Sequence, residues 1–169
     1  MKKILITGCS SGFGYDAAKY LAEKGHHVYA TMRNVGGKNA QPANELTEYA
    51  STHGYAIDVL ELDVLSDESV EAAIAQAPEI DVLINNAGRG YGGPIEAFSS
   101  EDFLAQLDLN IVGTQRVAKA VLPSMRTRKS GLIIQVSSTA GRAAFPGFGV
   151  YNASKWGLEG ISLSTYWRV

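Results

Sequence analysis

A tyrosine and a lysine stand four positions apart near the end of the sequence, at Tyr151 and Lys155. On a helix, two side chains with this spacing share one face. A free tyrosine hydroxyl loses its proton only at about pH 10, but a neighbouring ammonium group favours the phenolate. Lys155 would therefore allow Tyr151 to exchange a proton with an alcohol or a ketone. Taken alone, the same spacing occurs by chance on many helices.

Two other polar residues could act on the same substrate. Ser138 follows an apolar, strand-like run and could donate a hydrogen bond that holds a substrate oxygen for hydride transfer. Asn110 lies in the middle of a predicted helix, where a polar side chain is usually solvated or bonded locally. Each residue has an ordinary structural explanation, namely a strand-end serine and a helix-surface asparagine. A catalytic function for these residues is indicated only in combination with a glycine-rich stretch near the N-terminus.

That stretch runs from Lys2 to Gly14 and has the spacing Thr7-Gly8-x-x-x-Gly12-x-Gly14. The apolar residues 4–6 near its start predict a buried strand, and residues 15–24 after it predict a helix. Glycine lets the backbone approach an anion closely, and a helix start offers free N–H groups with partial positive charge. Strand, glycine turn and helix together predict a nucleotide phosphate site. The alternative is a glycine turn with no ligand.

Strand and helix candidates alternate along the whole chain. Strands are predicted at residues 4–6, 27–32, 55–62, 82–84 and 132–136, and helices at residues 15–24, 42–52, 67–77, 101–128 and from 151 onwards. Ser66 and Ser100 are the expected N-caps of the third and fourth helices. This alternation predicts an α/β fold, a doubly wound parallel sheet in a single domain of residues 1–169. Ligands of such sheets bind beyond the carboxyl ends of the strands, where this sequence places polar loops.

The bulk composition restricts the possible partners and compartments. The net charge of −2 gives no indication of a nucleic acid or an anionic membrane as a partner. No apolar run is long enough to cross a bilayer. The sequence enters a predicted strand almost at once, so we expect no signal peptide. The single cysteine, Cys9, excludes an internal disulfide and fits a reducing compartment, so we expect a cytoplasmic protein. No histidine pair has metal-ligand spacing with Cys9, so no metal is predicted.

These motifs together resemble the short-chain dehydrogenase/reductase family, and the match spans essentially the whole chain. Within the family, the sequence looks like the NADP-linked carbonyl and hydroxysteroid-type reductases. The resemblance implies a Rossmann-like oxidoreductase of a carbonyl/alcohol pair, and a dimer or tetramer packed through the helices from Glu101 and Tyr151. The residues that carry it are Thr7 to Gly14, Asp63, Asn85-Asn86-Ala87-Gly88, Asn110, Ser138, Tyr151 and Lys155.

The resemblance also implies roles for individual residues. Tyr151 would be the acid/base, Ser138 would stabilise the substrate oxygen, and Lys155 would act on the tyrosine and the nicotinamide ribose. Asn110 would support a water-bearing proton relay behind Lys155. The implied cofactor-binding residues are Gly8, Ser10, Ser11, Gly12, Phe13, Gly14, Arg33, Asp63, Val64, Asn86, Ala87, Gly88, Tyr151 and Lys155. Asp63 would accept from the adenine amino group, although a strand-end capping aspartate is an equal alternative.

The choice between NADP(H) and NAD(H) depends on the residues after the second strand. A site for NAD usually offers an acid to the ribose hydroxyls, whereas NADP favours an arginine for the extra phosphate. Met32 occupies the position of the acid, Arg33 follows it, and Lys38 adds positive charge. No acid lies between Val28 and Gln41. We therefore predict NADP(H), with a solvated loop arginine as the alternative.

The resemblance also predicts what this chain lacks. Family members continue beyond the position of Val169 with two further strands and a segment that covers the substrate. We therefore expect a sheet that is incomplete at its C-terminal edge, weak NADP(H) binding and poor catalysis by a lone 169-residue chain. A nucleotide-binding module without turnover is the main alternative. A sugar-nucleotide epimerase or dehydratase is the third, although the glycine spacing and the short chain count against it.

Aromatic residues near the expected site would suit an apolar carbonyl compound, although packing in the core is the expected use of at least half of them. Arg89 and Arg142 are candidates to reach a substrate or cofactor phosphate, with placement on the surface as the default. The aromatic candidates are Tyr91, Phe98, Phe145, Phe148 and Trp156.

Overall fold

The computed structural model of the chain describes residues 1–164. Within them, five strands form one fully parallel sheet in the order β3-β2-β1-β4-β5. The order reverses direction between β1 and β4, which is the feature of a doubly wound sheet. The predicted fold class is therefore confirmed. The strands are β1 (Lys3–Thr7), β2 (His27–Met32), β3 (Ile57–Glu61), β4 (Val82–Asn85) and β5 (Leu132–Gln135).

The two faces of the sheet carry separate hydrophobic cores, because successive side chains of a strand point to opposite sides. On β1, Leu5 packs with the helices on one face, whereas Ile4 and Ile6 pack with those on the other. The first core includes residues of α3 and α5, and the second includes residues of α1 and α2. The helices are α1 (Gly12–Glu23), α2 (Ala40–His53), α3 (Asp67–Gln76), α4 (Ser100–Leu107), α5 (Gly113–Arg128) and α6 (Gly149–Ser164).

The helix predicted over residues 101–128 differs from the prediction in two respects. Its N-cap is Ser99 and not Ser100, because Ser99 Oγ accepts from the Asp102 amide at 3.1 Å while the Asp102 carboxylate accepts from the Ser99 amide at 3.0 Å. A π-helical turn, Asp108–Val112, also separates α4 from α5. Such turns insert one residue and reorient the side chains around them. Ser66 caps α3 as predicted.

Other boundaries differ by a few residues. Helix α1 begins at Gly12, three residues before the prediction, and β3 is shorter than residues 55–62 at both ends. Helix α6 begins at Gly149, and the tail residues 165–169 lie outside the described part of the chain. Within residues 1–164, β5 pairs with β4 on one side only, and Leu132 and Ile134 are 52% and 39% exposed. No helix in these residues is both long and apolar enough to span a bilayer.

Cys9 is fully buried directly after β1. Its amide donates to the Thr31 carbonyl at 2.8 Å, and its Sγ lies 3.3 Å from the Ile6 carbonyl oxygen. Burial raises the pKa of the Cys9 thiol to about 12. The thiol is therefore protonated and inert at neutral pH, as expected for a small core residue.

Candidate active site

A cleft of about 660 Å³ lies beyond the carboxyl ends of the strands. Most of the site residues predicted from the sequence line it, and so do Met32 and Lys38. Four of the predicted residues do not line the cleft: Gly12, Gly14, Asn110 and Ser138. The predicted residues that do are Gly8, Ser10, Ser11, Phe13, Arg33, Asp63, Val64, Asn86, Ala87, Gly88, Tyr151 and Lys155.

The glycines of the first loop have different structural tasks. Gly8 has a φ of 76°, and a Cβ there would lie 2.9 Å from the Ala87 Cα. A Cβ on Gly14 would lie 2.5 Å from both the Gly8 carbonyl oxygen and the Asn86 side-chain nitrogen. Gly14 therefore lets α1 pack under the loop and does not face the cleft. Gly12 has a φ of 57° at the first position of α1.

Thr7 joins the ends of β1 and β4, a role that the sequence did not reveal. Its buried Oγ1 accepts from the amides of Asn86 and Ala87 at 3.0 and 2.9 Å. In the opposite direction, Asn86 Nδ2 donates to the carbonyls of Thr7 and Gly8 at 2.9 and 3.2 Å. These four hydrogen bonds fix the loop after β4 against the glycine loop. The partners are about eighty positions apart in the sequence, so no local motif marks them.

The cleft also carries positive charge. Arg33 and Lys38 line the cleft and are exposed, and within residues 1–164 neither forms an ion pair with a carboxylate. Asp63 Oδ1 accepts from the Leu65 amide at 3.0 Å, so Asp63 caps its own turn while it lines the cleft. A glycine-lined loop at a helix start and two cations that form no ion pair among residues 1–164 therefore line the same cleft, an arrangement that suits the anionic groups of a dinucleotide.

At the other end of the cleft, α6 carries Tyr151 and Lys155 side by side. Lys155 is 7% exposed, and its Nζ lies 5.8 Å from the centroid of the Tyr151 ring. The same Nζ donates to the Val136 carbonyl at 2.8 Å, which fixes the ammonium at the end of β5. Burial lowers the pKa of Lys155, and the nearby Glu159 carboxylate partly opposes this change.

Ser138 lies next to the cleft, at the start of a single 3-10 turn. Its Oγ accepts from the Ala140 amide at 3.1 Å, an arrangement that leaves the hydroxyl hydrogen to be donated elsewhere. The residue that lines the cleft is its neighbour Ser137, whose buried Oγ has no hydrogen-bond partner among the described residues. Among residues 1–164, neither serine hydroxyl has an acceptor, so both are available as donors at this end of the cleft.

Asn110 is buried in the π turn behind the cleft. Its Nδ2 donates to the Arg89 carbonyl and to Ser154 Oγ, both at 2.9 Å, and its Oδ1 accepts from the Arg89 amide at 3.1 Å. Ser154 Oγ in turn donates to the Tyr151 carbonyl at 2.8 Å. Asn110 therefore connects the loop after β4 to the helix that carries Tyr151. The mid-helix position predicted for it is confirmed, but as part of a π turn.

Gln106, which the sequence did not single out, supports the same loop. It is fully buried, donates to the Arg89 carbonyl at 2.5 Å and accepts from the Tyr91 amide at 3.2 Å. Between those two residues lies Gly90, where a Cβ would lie 2.8 Å from the Tyr151 ring. The only sequence signal for this function is a glutamine four residues before Asn110, on the same helix face.

The remaining candidates from the sequence are distributed around the site. Arg89 lines the cleft, with its guanidinium 4.7 Å from the Tyr91 ring centroid. Arg142 instead forms a 2.8 Å ion pair with Glu159. Within residues 1–164, no group of three or more His, Cys, Asp or Glu side chains is placed to hold a metal ion. The aromatic residues Phe145, Phe148 and Trp156 are about half exposed.

The parallel sheet, its order reversal and the cleft above its carboxyl edge define a doubly wound, Rossmann-like protein. The model of the family described as short chain dehydrogenase matches residues 2–166, so the chain belongs to the short-chain dehydrogenase/reductase family. The resemblance seen in the sequence is confirmed.

Curated relatives and solved structures agree with this assignment. The chain is 42% identical over 163 residues to estradiol 17-beta-dehydrogenase 1 of Rattus norvegicus, with 94% of this chain and 47% of that protein covered. It is 42% identical over 165 residues to retinol dehydrogenase 8 of Bos taurus, covering 95% and 52%. A crystal structure of an actinorhodin polyketide ketoreductase variant with NADPH superimposes with a TM-score of 0.87 at 31% identity, covering 96% and 61%. The chain spans about half the length of the curated relatives it matches.

Proposed function

We propose that this chain carries the dinucleotide site and the acid/base residues of an NADP(H)-dependent oxidoreductase that acts on a carbonyl/alcohol pair. The observation that carries the proposal is a single cleft with the glycine loop and Arg33 at one end and Tyr151 beside Lys155 at the other. NADP(H), when bound, supplies or accepts the hydride. The dehydrogenases named above and the NADPH-bound neighbour support the same class of reaction.

In this proposal the residues at the α6 end handle the proton. Tyr151 donates its hydroxyl proton to the carbonyl oxygen during reduction and takes it back during oxidation. Ser138 donates a hydrogen bond to the same oxygen, since its own acceptor capacity is partly used by the Ala140 amide. The Val136 carbonyl holds the Lys155 ammonium beside the Tyr151 ring, where it would meet the ribose next to the nicotinamide. Asn110 holds the loop and helix that frame the tyrosine.

The proposed preference for NADP(H) over NAD(H) rests on the end of β2. Met32 is buried where an acid would meet the ribose hydroxyls, and Arg33 and Lys38 face the cleft. The Arg33–Asn39 segment would offer two cations to a 2′-phosphate, and the sequence of this segment contains no acid. We also predict a cytoplasmic location and a dimer or tetramer that packs through α4, α5 and α6.

A nucleotide-binding module without turnover is the second candidate function. The position of Ser138 supports it, because this residue lies next to the cleft and does not line it, whereas Tyr151 and Lys155 do. The two candidates make different predictions for the role of Tyr151, since only an enzyme needs its hydroxyl.

The test combines a binding titration with an assay. Purified protein is titrated with NADPH by fluorescence and then assayed against a panel of apolar ketones, in parallel with Tyr151→Phe. As a matched control, Tyr20→Phe removes an exposed hydroxyl on α1 that does not line the cleft. An enzyme predicts an unchanged NADPH affinity for Tyr151→Phe with turnover reduced by about 100-fold or more. NADPH binding without turnover that depends on Tyr151 supports the module, and no NADPH binding refutes both candidates.

A further inference from the structure

The segment that carries the two cleft cations closes on itself. Asn39 Nδ2 donates to the Arg33 carbonyl at 2.6 Å, and the Asn39 amide donates to the Asn34 carbonyl at 3.0 Å. Asn34 adopts a φ of 54°, in the left-handed region that a non-glycine residue rarely enters. We refer to residues 33–39 as the phosphate loop. Its shape requires an anchor that compensates for this strain.

Glu61, the last residue of β3, provides that anchor. Its Oε1 accepts from the Asn34 amide at 2.7 Å, and its Oε2 accepts from the Val35 amide at 2.8 Å. Both oxygens of one carboxylate thus hold two consecutive amides, immediately after Arg33. Hydrogen bonds to a charged acceptor are stronger than neutral ones. The contact is possible because β2 and β3 are paired in parallel with Met32 opposite Glu61.

The Glu61 carboxylate binds backbone amides and, among the described residues, leaves the Arg33 guanidinium without an ion pair. An acid this close to Arg33 could have formed an ion pair with the guanidinium and neutralised it. Glu61 binds backbone amides instead, and no carboxylate within residues 1–164 forms an ion pair with Arg33 or Lys38. The positive charge of the phosphate loop remains available to a ligand.

We infer that Glu61 is a positioning residue for cofactor selectivity, which holds the phosphate loop so that Arg33 meets the 2′-phosphate of NADP(H). This inference rests on the proposed function, because it presumes that Arg33 selects NADP(H). Nothing in the mechanism requires Glu61 to touch the cofactor. Its effect should therefore appear in phosphate recognition, and not in the binding of the part that NADP(H) shares with NAD(H).

The sign of the effect separates positioning from simple charge. If Glu61 acted only through its charge, its neutralisation would strengthen the binding of a phosphate, because like charges repel. If it positions Arg33, Glu61→Gln should weaken NADPH binding, because one of the two accepting oxygens becomes an NH₂ group, a donor that faces a backbone N–H donor. We expect the Kd for NADPH to rise about tenfold, while the Kd for NADH changes by less than about twofold.

The experiment measures the Kd of NADPH and NADH by fluorescence titration for the wild type, Glu61→Gln, Arg33→Ala and the double variant. The matched control is Asp58→Asn, which neutralises an acid on the same strand whose carboxylate contacts His27 at 2.7 Å. Unchanged NADH binding shows in the same titrations that each variant is folded. In the Arg33→Ala background, Glu61→Gln should have no further effect on the NADPH to NADH ratio, because its target is absent.

Each outcome decides a different point. A tenfold loss of NADPH affinity that disappears in the Arg33→Ala background, with Asp58→Asn unchanged, supports the inference. The inference alone fails if Arg33→Ala removes the preference while Glu61→Gln leaves it unchanged or increases it. It also fails if Glu61→Gln weakens both dinucleotides equally or if Asp58→Asn has the same effect. A wild type that binds NADPH no better than NADH refutes the proposed cofactor preference and, with it, this inference.

Discussion

Replacing Thr7 with valine should destabilise the protein, because it removes a buried hydrogen-bond acceptor while nearly keeping the shape of the side chain. Valine has nearly the same shape, but it lacks the Oγ1 atom that accepts from the amides of Asn86 and Ala87 at 3.0 and 2.9 Å. Thr7 is 1% exposed, so no water can easily replace the lost acceptor. The substitution therefore leaves two backbone donors unpaired at the junction of β1 and β4.

The magnitude follows from the number of donors. Leaving a buried donor without a partner costs about 1–3 kcal/mol, and both amides are only partly buried, so we take the lower half of this range for each. The expected loss in the free energy of unfolding is about 2–4 kcal/mol. For a chain of this size, each kcal/mol lowers the midpoint temperature by about 2–4 °C, so the expected decrease is about 4–16 °C.

Urea unfolding followed by circular dichroism, together with thermal scans, measures this effect. Thr7→Ser keeps the acceptor and loses only a methyl group, so it should cost about 1 kcal/mol. Thr47→Val provides a second control, because the Thr47 hydroxyl only donates to the Ala43 carbonyl within an exposed part of α2. If Thr7→Val were as stable as Thr7→Ser, the two amides would not depend on this hydroxyl and the account of the junction would be wrong.

Two further predictions concern the α6 end of the cleft. In Gly90→Ala the new Cβ would lie 2.8 Å from the Tyr151 ring, so the ring must move. Turnover should fall at least about tenfold, while NADPH affinity stays within about twofold of the wild type. Equal losses of turnover and of NADPH affinity would contradict this prediction. Because burial lowers the pKa of Lys155 below its ordinary value of 10.5, the unfolded chain binds more protons than the folded chain between the two values. The wild type should therefore gain stability relative to Lys155→Met as the pH rises towards about 10, as measured by urea unfolding at several pH values. A stability difference that stays constant or falls with pH would exclude a lowered pKa.

The fold class could be predicted from the sequence because the apolar patterns of most strands and helices are local. The apolar runs of β1 and β2 and the glycine loop between them lie within about thirty residues, and their periodicity needs no tertiary information. Because ligands of such sheets bind beyond the carboxyl ends of the strands, Arg33 and Tyr151 could be assigned to the same cleft without any knowledge of side-chain geometry.

The features that the sequence could not reveal depend on contacts between distant residues. The Thr7 hydroxyl, the Gln106 amide and the Glu61 carboxylate each bind backbone groups on another element, and a backbone group has no residue type to recognise. The π turn around Asn110 was missed because one inserted residue barely alters an apolar pattern of period 3.6. Helix α1 was predicted to begin late because Gly12 and Gly14 have low helix propensity, which packing under the loop overrides.

The burial of Cys9 gives the protein an intrinsic reporter of its own opening. It is the only cysteine in the sequence, and it lies fully buried within the glycine loop, between Gly8 and Gly12. A thiol reagent can label the native chain only when that junction transiently opens, so the labelling rate measures the opening free energy of this region. A molecule seated on the loop would slow labelling in proportion to its concentration over its dissociation constant. Occupancy of the loop can thus be followed through a natural sulfur atom, without an introduced probe or a substrate.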